Sequence, residues 1–303
     1  MDIQGLTNFG TKQGYELLRT QGGLTSCRLE CRDDAEKVAD GLKRLIIAPP
    51  EEQRRWRWDT PEDIPRSIPE ERRQELIEVM FHQGQCDLGL MRRENEVNKE
   101  TGEPQDPKWL FHYKVQLHEV LAASGANMEE YGELLHAADR LLTKGRALWD
   151  LAMDTFEILH PNSAMVLRCA LYDPPSAPSK VGAQCHWDRN DGTIHFADSK
   201  AGLLVPKKED YQVNEPQMTV LGRASDDLVY LFVSAKLAYL DPQRFNPVWH
   251  GGMNADVGES RWAIIGFYHL NEHSYLPPEF RGKTRDPVCK WIREASRVPV
   301  SSR

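Results

Sequence analysis

Beyond Pro161 the chain breaks into short apolar runs separated by Pro, Gly, Asn and Asp, and this punctuation constrains the fold more than any other feature. The runs cover residues 165–172, 184–188, 192–197, 202–205, 218–221, 228–233, 248–250 and 261–270. Each is too short for a stable helix and long enough for a strand, and so many short strands spaced by turn signals fit a sandwich or barrel. A Pro/Ser patch at 174–178 links two of them.

The first half reads differently. Ala35, Val38, Ala39, Leu42, Leu45 and Ile46 recur at helical spacing behind Asp33 and Asp34, acids that suit a helix N-terminus, and Pro49-Pro50 ends the run. Leu76, Ile77, Met80 and Phe81 predict a second helix over 70–82. The longest periodic segment, 128–159, carries Leu134, Leu135, Ala138, Leu141, Leu148, Ala152 and Phe156 on one stripe and predicts a core-packing helix. A helical layer on a β core follows. No repeat interrupts it.

The formal net charge of −8 opposes general binding to nucleic acid. The one basic run, Arg54 to Arg57, is flanked by acids and reads as a solvated charged surface. Six cysteines in 303 residues show no regular disulfide spacing, which suits reduced thiols, and Cys27 and Cys31 have no second pair at zinc-site spacing. The start MDIQGLTNFG has neither a positive nor an apolar leader region, and no stretch is long enough to span a bilayer, so the expected location is cytoplasmic, without membrane contact.

His186-Trp187-Asp188 places two ligand-type side chains at i and i+2, which share a face on a strand. With ten His and 46 acidic residues in 303, about 1.5 such pairs arise by chance, so the pair needs a third ligand. His250, in PVWHGGMN, supplies one. Two imidazoles and a carboxylate are the facial set that leaves open positions on non-haem Fe(II). Arg261 heads the alternating run RWAIIGFYHL and shares a face with Ala263, Ile265, Phe267 and His269. A buried guanidinium there needs an anionic partner, either a bound carboxylate or a protein one. His195, His269 and Arg168 lie on neighbouring runs, where contact with substrate and a structural role both remain open; Cys185 is expected to point away from His186.

The stretch HWDRNDGTIHFADSKAGLLV resembles the HxD strand and hairpin of the iron(II)/2-oxoglutarate-dependent dioxygenases, in particular the isopenicillin N synthase-like branch, and VLRCALYDPP resembles that branch's strand ending in Tyr and Pro. The resemblance covers roughly 160–275; the first hundred residues carry no recognisable pattern. It implies an α+β chain: a double-stranded β-helix (jelly-roll) core at 161–275, a helix-rich N-terminal region at 1–160 packed on it, and a C-terminal extension at 276–303 with a short helix, together one catalytic unit.

For the site, the resemblance implies His186, Asp188 and His250 as iron ligands, Arg261 as the anchor of the 2-oxoglutarate distal carboxylate, and Tyr172 as a further co-substrate contact. Ala263 stands where the family usually has Ser. The implied reaction consumes O2 and 2-oxoglutarate, yields succinate and CO2, and hydroxylates, desaturates or cyclises a small-molecule substrate. Two alternatives stay open: an oxidase of the isopenicillin N synthase type that uses no 2-oxoglutarate, and a non-catalytic binding module on the same barrel.

Overall fold

The computed structural model describes residues 24–58, 60–77, 88–94, 107–160, 163–174, 183–206, 218–221, 228–253 and 256–270. Two antiparallel sheets form the framework. Its strands are β1 (Leu24–Arg28), β2 (Arg57–Trp58), β3 (Leu88–Arg93), β4 (Lys108–Tyr113), β5 (Ala164–Tyr172), β6 (Ala183–His186), β7 (Gly192–Asp198), β8 (Leu203–Pro206), β9 (Met218–Val220), β10 (Leu228–Val233), β11 (His250–Gly252) and β12 (Arg261–His269). The large sheet runs β1-β10-β7-β12-β5-β4-β3-β2 and the small one β6-β11-β8-β9. The chain is thus a mixed helix and sheet protein, as expected for α+β.

One expectation is corrected. The N-terminal region is not only a helical layer, because β1 to β4 contribute half of the large sheet. Two of their pairings reach the later strands: β1 joins β10, with Leu24 opposite Phe232, and β4 joins β5, with Lys108 opposite Tyr172, while β2, β3 and β4 pair in sequence order. Short strands completed by distant partners carry little periodic signal of their own.

The helices cover one face of the large sheet. The first, α1 (Arg32–Ile46), has Asp33 and Asp34 in its first turn and Lys43 and Arg44 in its last, each charge complementing the helix dipole. After α2 (Pro50–Arg55), α3 (Glu70–Ile77) and α4 (Leu117–Ser124) comes the long α5 (Gly132–Thr155), shorter at both ends than the predicted 128–159. The 70–82 prediction holds to Ile77, and its remainder lies outside the described residues, as does the predicted C-terminal helix. Gly41 lets α1 approach α5 closely, since a Cβ there would stand 2.6 Å from that of Leu134. Across this contact Arg140 and Lys144 flank the buried Asp34 at 2.8 and 3.0 Å. Below it, Leu167, Cys169, Ile194, Phe196, Ile264 and Tyr268 join the helices in one continuous core. Truncating a fully buried leucine such as Leu42 would cost about 2–5 kcal/mol.

The basic run at 54–57 divides between α2 and β2, with Trp56 and Trp58 in the core. Cys27, Cys31, Cys169 and Cys185 are free thiols. Among the described residues, no helix is long and apolar enough to cross a membrane. The helix-free face of the large sheet packs against the small sheet, where Leu203 and Val205 of β8 meet Tyr230 and Phe232 of β10. The residues of the expected site converge in this interlayer.

Candidate active site

Strands β6 and β11 pair antiparallel with His250 directly opposite His186, so both imidazoles leave the small sheet on one face with ring centroids 4.7 Å apart. Strand β6 ends at His186, so Asp188 lies in the following turn and not on the predicted 184–188 strand. The turn is clamped by the start of the short helix α6 (Ala235–Leu240) and the Ser234 before it: the backbone N–H of Ala235 donates to the carbonyl of Asp188 at 2.8 Å, and that of Ser234 to the carbonyl of Asp191 at 3.1 Å. Buried Lys236 adds an ion pair to buried Asp191 at 3.5 Å. Held this way, the Asp188 carboxylate stands 3.4 Å from Nε2 of His186 and 3.4 Å from Nε2 of His250. One ligand-type atom from each of the three residues lies within 4.8 Å of the others, a spacing that one cation can bridge.

The surroundings fix the chemistry of these atoms. Nδ1–H of His250 donates to the carbonyl of Val248 at 3.0 Å, which leaves the Nε2 lone pair facing Asp188. Phe232 packs on that imidazole at 4.6 Å. Burial drives the His250 pKa down to about 4 against the attraction of Asp188, so the ring is neutral and able to coordinate at neutral pH. Burial alone would raise the Asp188 pKa; the facing imidazoles of His250 and His186 and the hydroxyl of Thr193 outweigh it and hold the carboxyl well below the ordinary range. Thr193 donates to Oδ2 of Asp188 at 2.7 Å, accepts from the Asn190 amide at 3.1 Å and stands 2.9 Å from the Ser234 hydroxyl. His186 is half exposed while Asp188 and His250 are buried, so the cluster opens on one side.

Arg261 heads β12 and is 2% exposed. Its guanidinium lies between Gly202, where a Cβ would meet Cζ at 2.4 Å, and the ring of Tyr172, its cross-strand partner, at 5.4 Å. Any residue but glycine at 202 would fill the seat of the guanidinium. Nη1 donates to the carbonyl of Met253 at 3.1 Å, Nη2 lies 3.6 Å from Oδ2 of Asp198, and buried Nε has no hydrogen-bond partner among the described residues. Met253 is three residues beyond His250, so β11 leads from the candidate metal ligand directly to the guanidinium.

The other sequence candidates divide. His195 is buried, with Nε2 3.1 Å from Oδ2 of Asp198. Arg168 stacks over Phe267 at 4.5 Å, and its Nε donates to Nε2 of buried His112 at 2.6 Å. His269 is buried at the far end of β12. Cys185 points away from His186, its sulfur 2.8 Å from where a Cβ on Gly251 would stand. Sequence reasoning missed Thr193, Ser234, Gly202 and Asp198. Thr193 shares strand phase with His195 two residues on, a signal that was available.

No protein-family model matches the chain, and no curated protein sequence matches it. Solved structures do resemble it. The dioxygenase for auxin oxidation from rice has 14% identity and a TM-score of 0.63, over 97% of this chain and 95% of that one. The dioxygenase for auxin oxidation 1 from Arabidopsis thaliana, in a binary complex with 2-oxoglutarate, has 13% identity and a TM-score of 0.61, over 92% and 96%. Full-length Neurospora crassa T7H, in complex with alpha-KG and thymine, has 15% identity and a TM-score of 0.58, over 93% and 90%. The chain therefore shares the fold of these oxygenases.

Proposed function

We propose that the chain is a non-haem Fe(II)/2-oxoglutarate-dependent oxygenase that oxidises a C–H bond of a small molecule, and that its two sheets are the halves of a double-stranded β-helix. The observation that carries this reading is the convergence of His186, Asp188 and His250 within 4.8 Å, with His250 neutral and Asp188 ionised. Two imidazoles and one carboxylate on one side of a metal leave its other positions open. The donor set suits iron: nitrogen and carboxylate oxygen ligands, with no thiolate among them.

The co-substrate subsite is tested by what surrounds Arg261. A buried guanidinium whose Nε–H has no partner among the described residues, seated against Gly202 beside the strand that pairs with β11 of His250, fits a carboxylate acceptor. Tyr172 closes the opposite face of the guanidinium and keeps it from swinging toward solvent. When bound, Fe(II) with 2-oxoglutarate and O2 supplies the oxidant, with succinate and CO2 as co-products. The protein's part is positional. His250 and His186 present nitrogen lone pairs, Thr193 fixes the Asp188 oxygen that faces His250, and the clamp through Ala235 and Lys236 keeps the turn from relaxing away.

The 2-oxoglutarate and thymine complexes of the similar structures support a small-molecule substrate. The shared core of the N-terminal helices and the later strands supports one catalytic unit spanning the regions 1–160 and 161–275. Free thiols support a reducing, cytoplasmic setting. One observation favours a second reading, an oxidase that needs no keto acid: Asp198 already gives Arg261 a protein counter-ion at 3.6 Å. Adding Fe(II), 2-oxoglutarate and O2 to the protein and measuring succinate across a small-molecule library separates the two. Substrate-stimulated succinate supports the first reading, and substrate oxidation without succinate refutes it in favour of the oxidase.

A further inference from the structure

Arg261 has its positive charge compensated, while its Nε donor has no acceptor among the described residues. Asp198 is 1% exposed, His195 3% and Arg261 2%, and all three lie between the sheets. A β-bulge explains how they meet. Ile264 and Ile265 of β12 stand opposite Ala197 and His195 of β7, so Phe196 is an extra residue and the strand phase slips, bringing Asp198 to the face that His195 occupies. Oδ2 of Asp198 is then shared, 3.1 Å from Nε2 of His195 and 3.6 Å from Nη2 of Arg261. The second distance makes an ion pair and is too long for a hydrogen bond. Nη1 is taken by the carbonyl of Met253, and Nε has no acceptor among the described residues. Directly opposite Asp198, where a hydroxyl could have mediated, stands Ala263.

We infer that Asp198 is a specificity-determining residue of the co-substrate subsite, a resident carboxylate that balances Arg261 and so limits what a keto acid gains from a second carboxylate. The inference rests on the 2-oxoglutarate reading above. An entering distal carboxylate finds the Nε–H donor free, but it brings a second negative charge beside Asp198 in a site that water does not screen. An anchor arginine without such a neighbour would favour a dicarboxylate keto acid strongly over a monocarboxylate one. The Arg261–Asp198 pair narrows that preference.

The test uses the full chain loaded with Co(II) in the absence of O2, titrated calorimetrically with 2-oxoglutarate and with 2-oxobutyrate, which lacks the distal carboxylate. In Asp198→Asn, 2-oxoglutarate should bind about tenfold tighter or more while 2-oxobutyrate changes by less than about twofold, because only the former meets the removed charge. Asp198→Ser is measured alongside, and thermal melts of both variants are taken with and without 2-oxoglutarate. The stabilisation by this ligand should exceed that of the wild type, a gain that a purely structural Asp198 would not produce. Unchanged or weaker 2-oxoglutarate binding in both variants overturns the inference, as does failure of 2-oxoglutarate to restore a cooperative melt to variants that do not fold alone. If neither keto acid binds the Co(II)-loaded wild type, the 2-oxoglutarate reading itself falls.

Discussion

Replacing Thr193 by Val removes one hydroxyl and keeps the shape of a fully buried side chain. That hydroxyl donates to Oδ2 of Asp188 at 2.7 Å, and the same carboxylate oxygen faces Nε2 of His250 at 3.4 Å. A hydrogen bond to an ionised group is worth about 1.5–3 kcal/mol, and Ser234 and Asn190 lose a partner as well, so the metal-free protein should be destabilised by roughly 2–3 kcal/mol. The larger effect falls on the metal. Groups that orient a coordinating carboxylate typically cost about 10–100-fold in metal affinity when removed, and that range is expected for Thr193→Val. Thr193→Ser keeps the donor and should restore most of the affinity, although it loses a methyl group. Co(II) titration against a competing chelator reads the affinity, and thermal unfolding of the metal-free protein reads the stability. If Thr193→Val loses stability but keeps metal affinity within about twofold of wild type, the hydroxyl serves packing only and Asp188 is oriented by other means.

Asp188→Ala should abolish turnover and sharply weaken iron binding while the fold persists, because the backbone clamp to Ala235 does not involve the side chain; unchanged iron affinity would remove Asp188 from the ligand set. Arg261→Gln should raise the 2-oxoglutarate requirement strongly with little change in iron affinity, a loss within about 2–5 kcal/mol, and equal loss for 2-oxobutyrate in binding titrations would make Arg261 a structural ion-pair residue. The metal-free protein should lose stability as pH falls from about 6.5 toward 4. Folding depresses the His250 pKa from 6.5 to about 4, so in that window the unfolded chain holds a proton that the folded one does not. The ceiling is roughly 3 kcal/mol, and Asp188, also depressed, contributes with the same sign at lower pH. Denaturant titrations between pH 7 and pH 4.5 would show the slope, and a flat profile would contradict burial of a neutral His250.

The strands after residue 161 were legible because each buries alternate or successive apolar residues between bounding turn signals, and four of the eight predicted runs fall on β5, β7, β10 and β12 nearly residue for residue. Helices α1 and α5 were legible for the same reason at a different period, through Val38, Leu42 and Leu45 in one and Leu134, Ala138 and Leu141 in the other. Strands β1, β3 and β4 were not. LTSCR and KWLFHY alternate weakly, and what makes them strands is an edge offered by β10 and β5, far away in the sequence; LGLMRR then adds to β4. A pattern completed only by a distant partner is invisible from inside the segment.

The same distinction runs through the site. His186, Asp188 and His250 could be read from residue type and order, since ligand chemistry is carried by the side chains themselves. Their supports could not. Thr193 was reachable from strand phase, but Asp198 was hidden by the bulge at Phe196: alternation from His195 leads to Ala197, and the residue that reaches Arg261 is one further on. The absence of the expected Ser at Ala263 pointed to the right place without naming what stood there. Opposite that alanine the fold presents a carboxylate 3.6 Å from the guanidinium, so the question left by Ala263 changes from which donor is missing to which anion holds Arg261 before a co-substrate arrives. For a cation buried this deeply some anion must be present at all times, and a resident one explains how Arg261 tolerates the empty state.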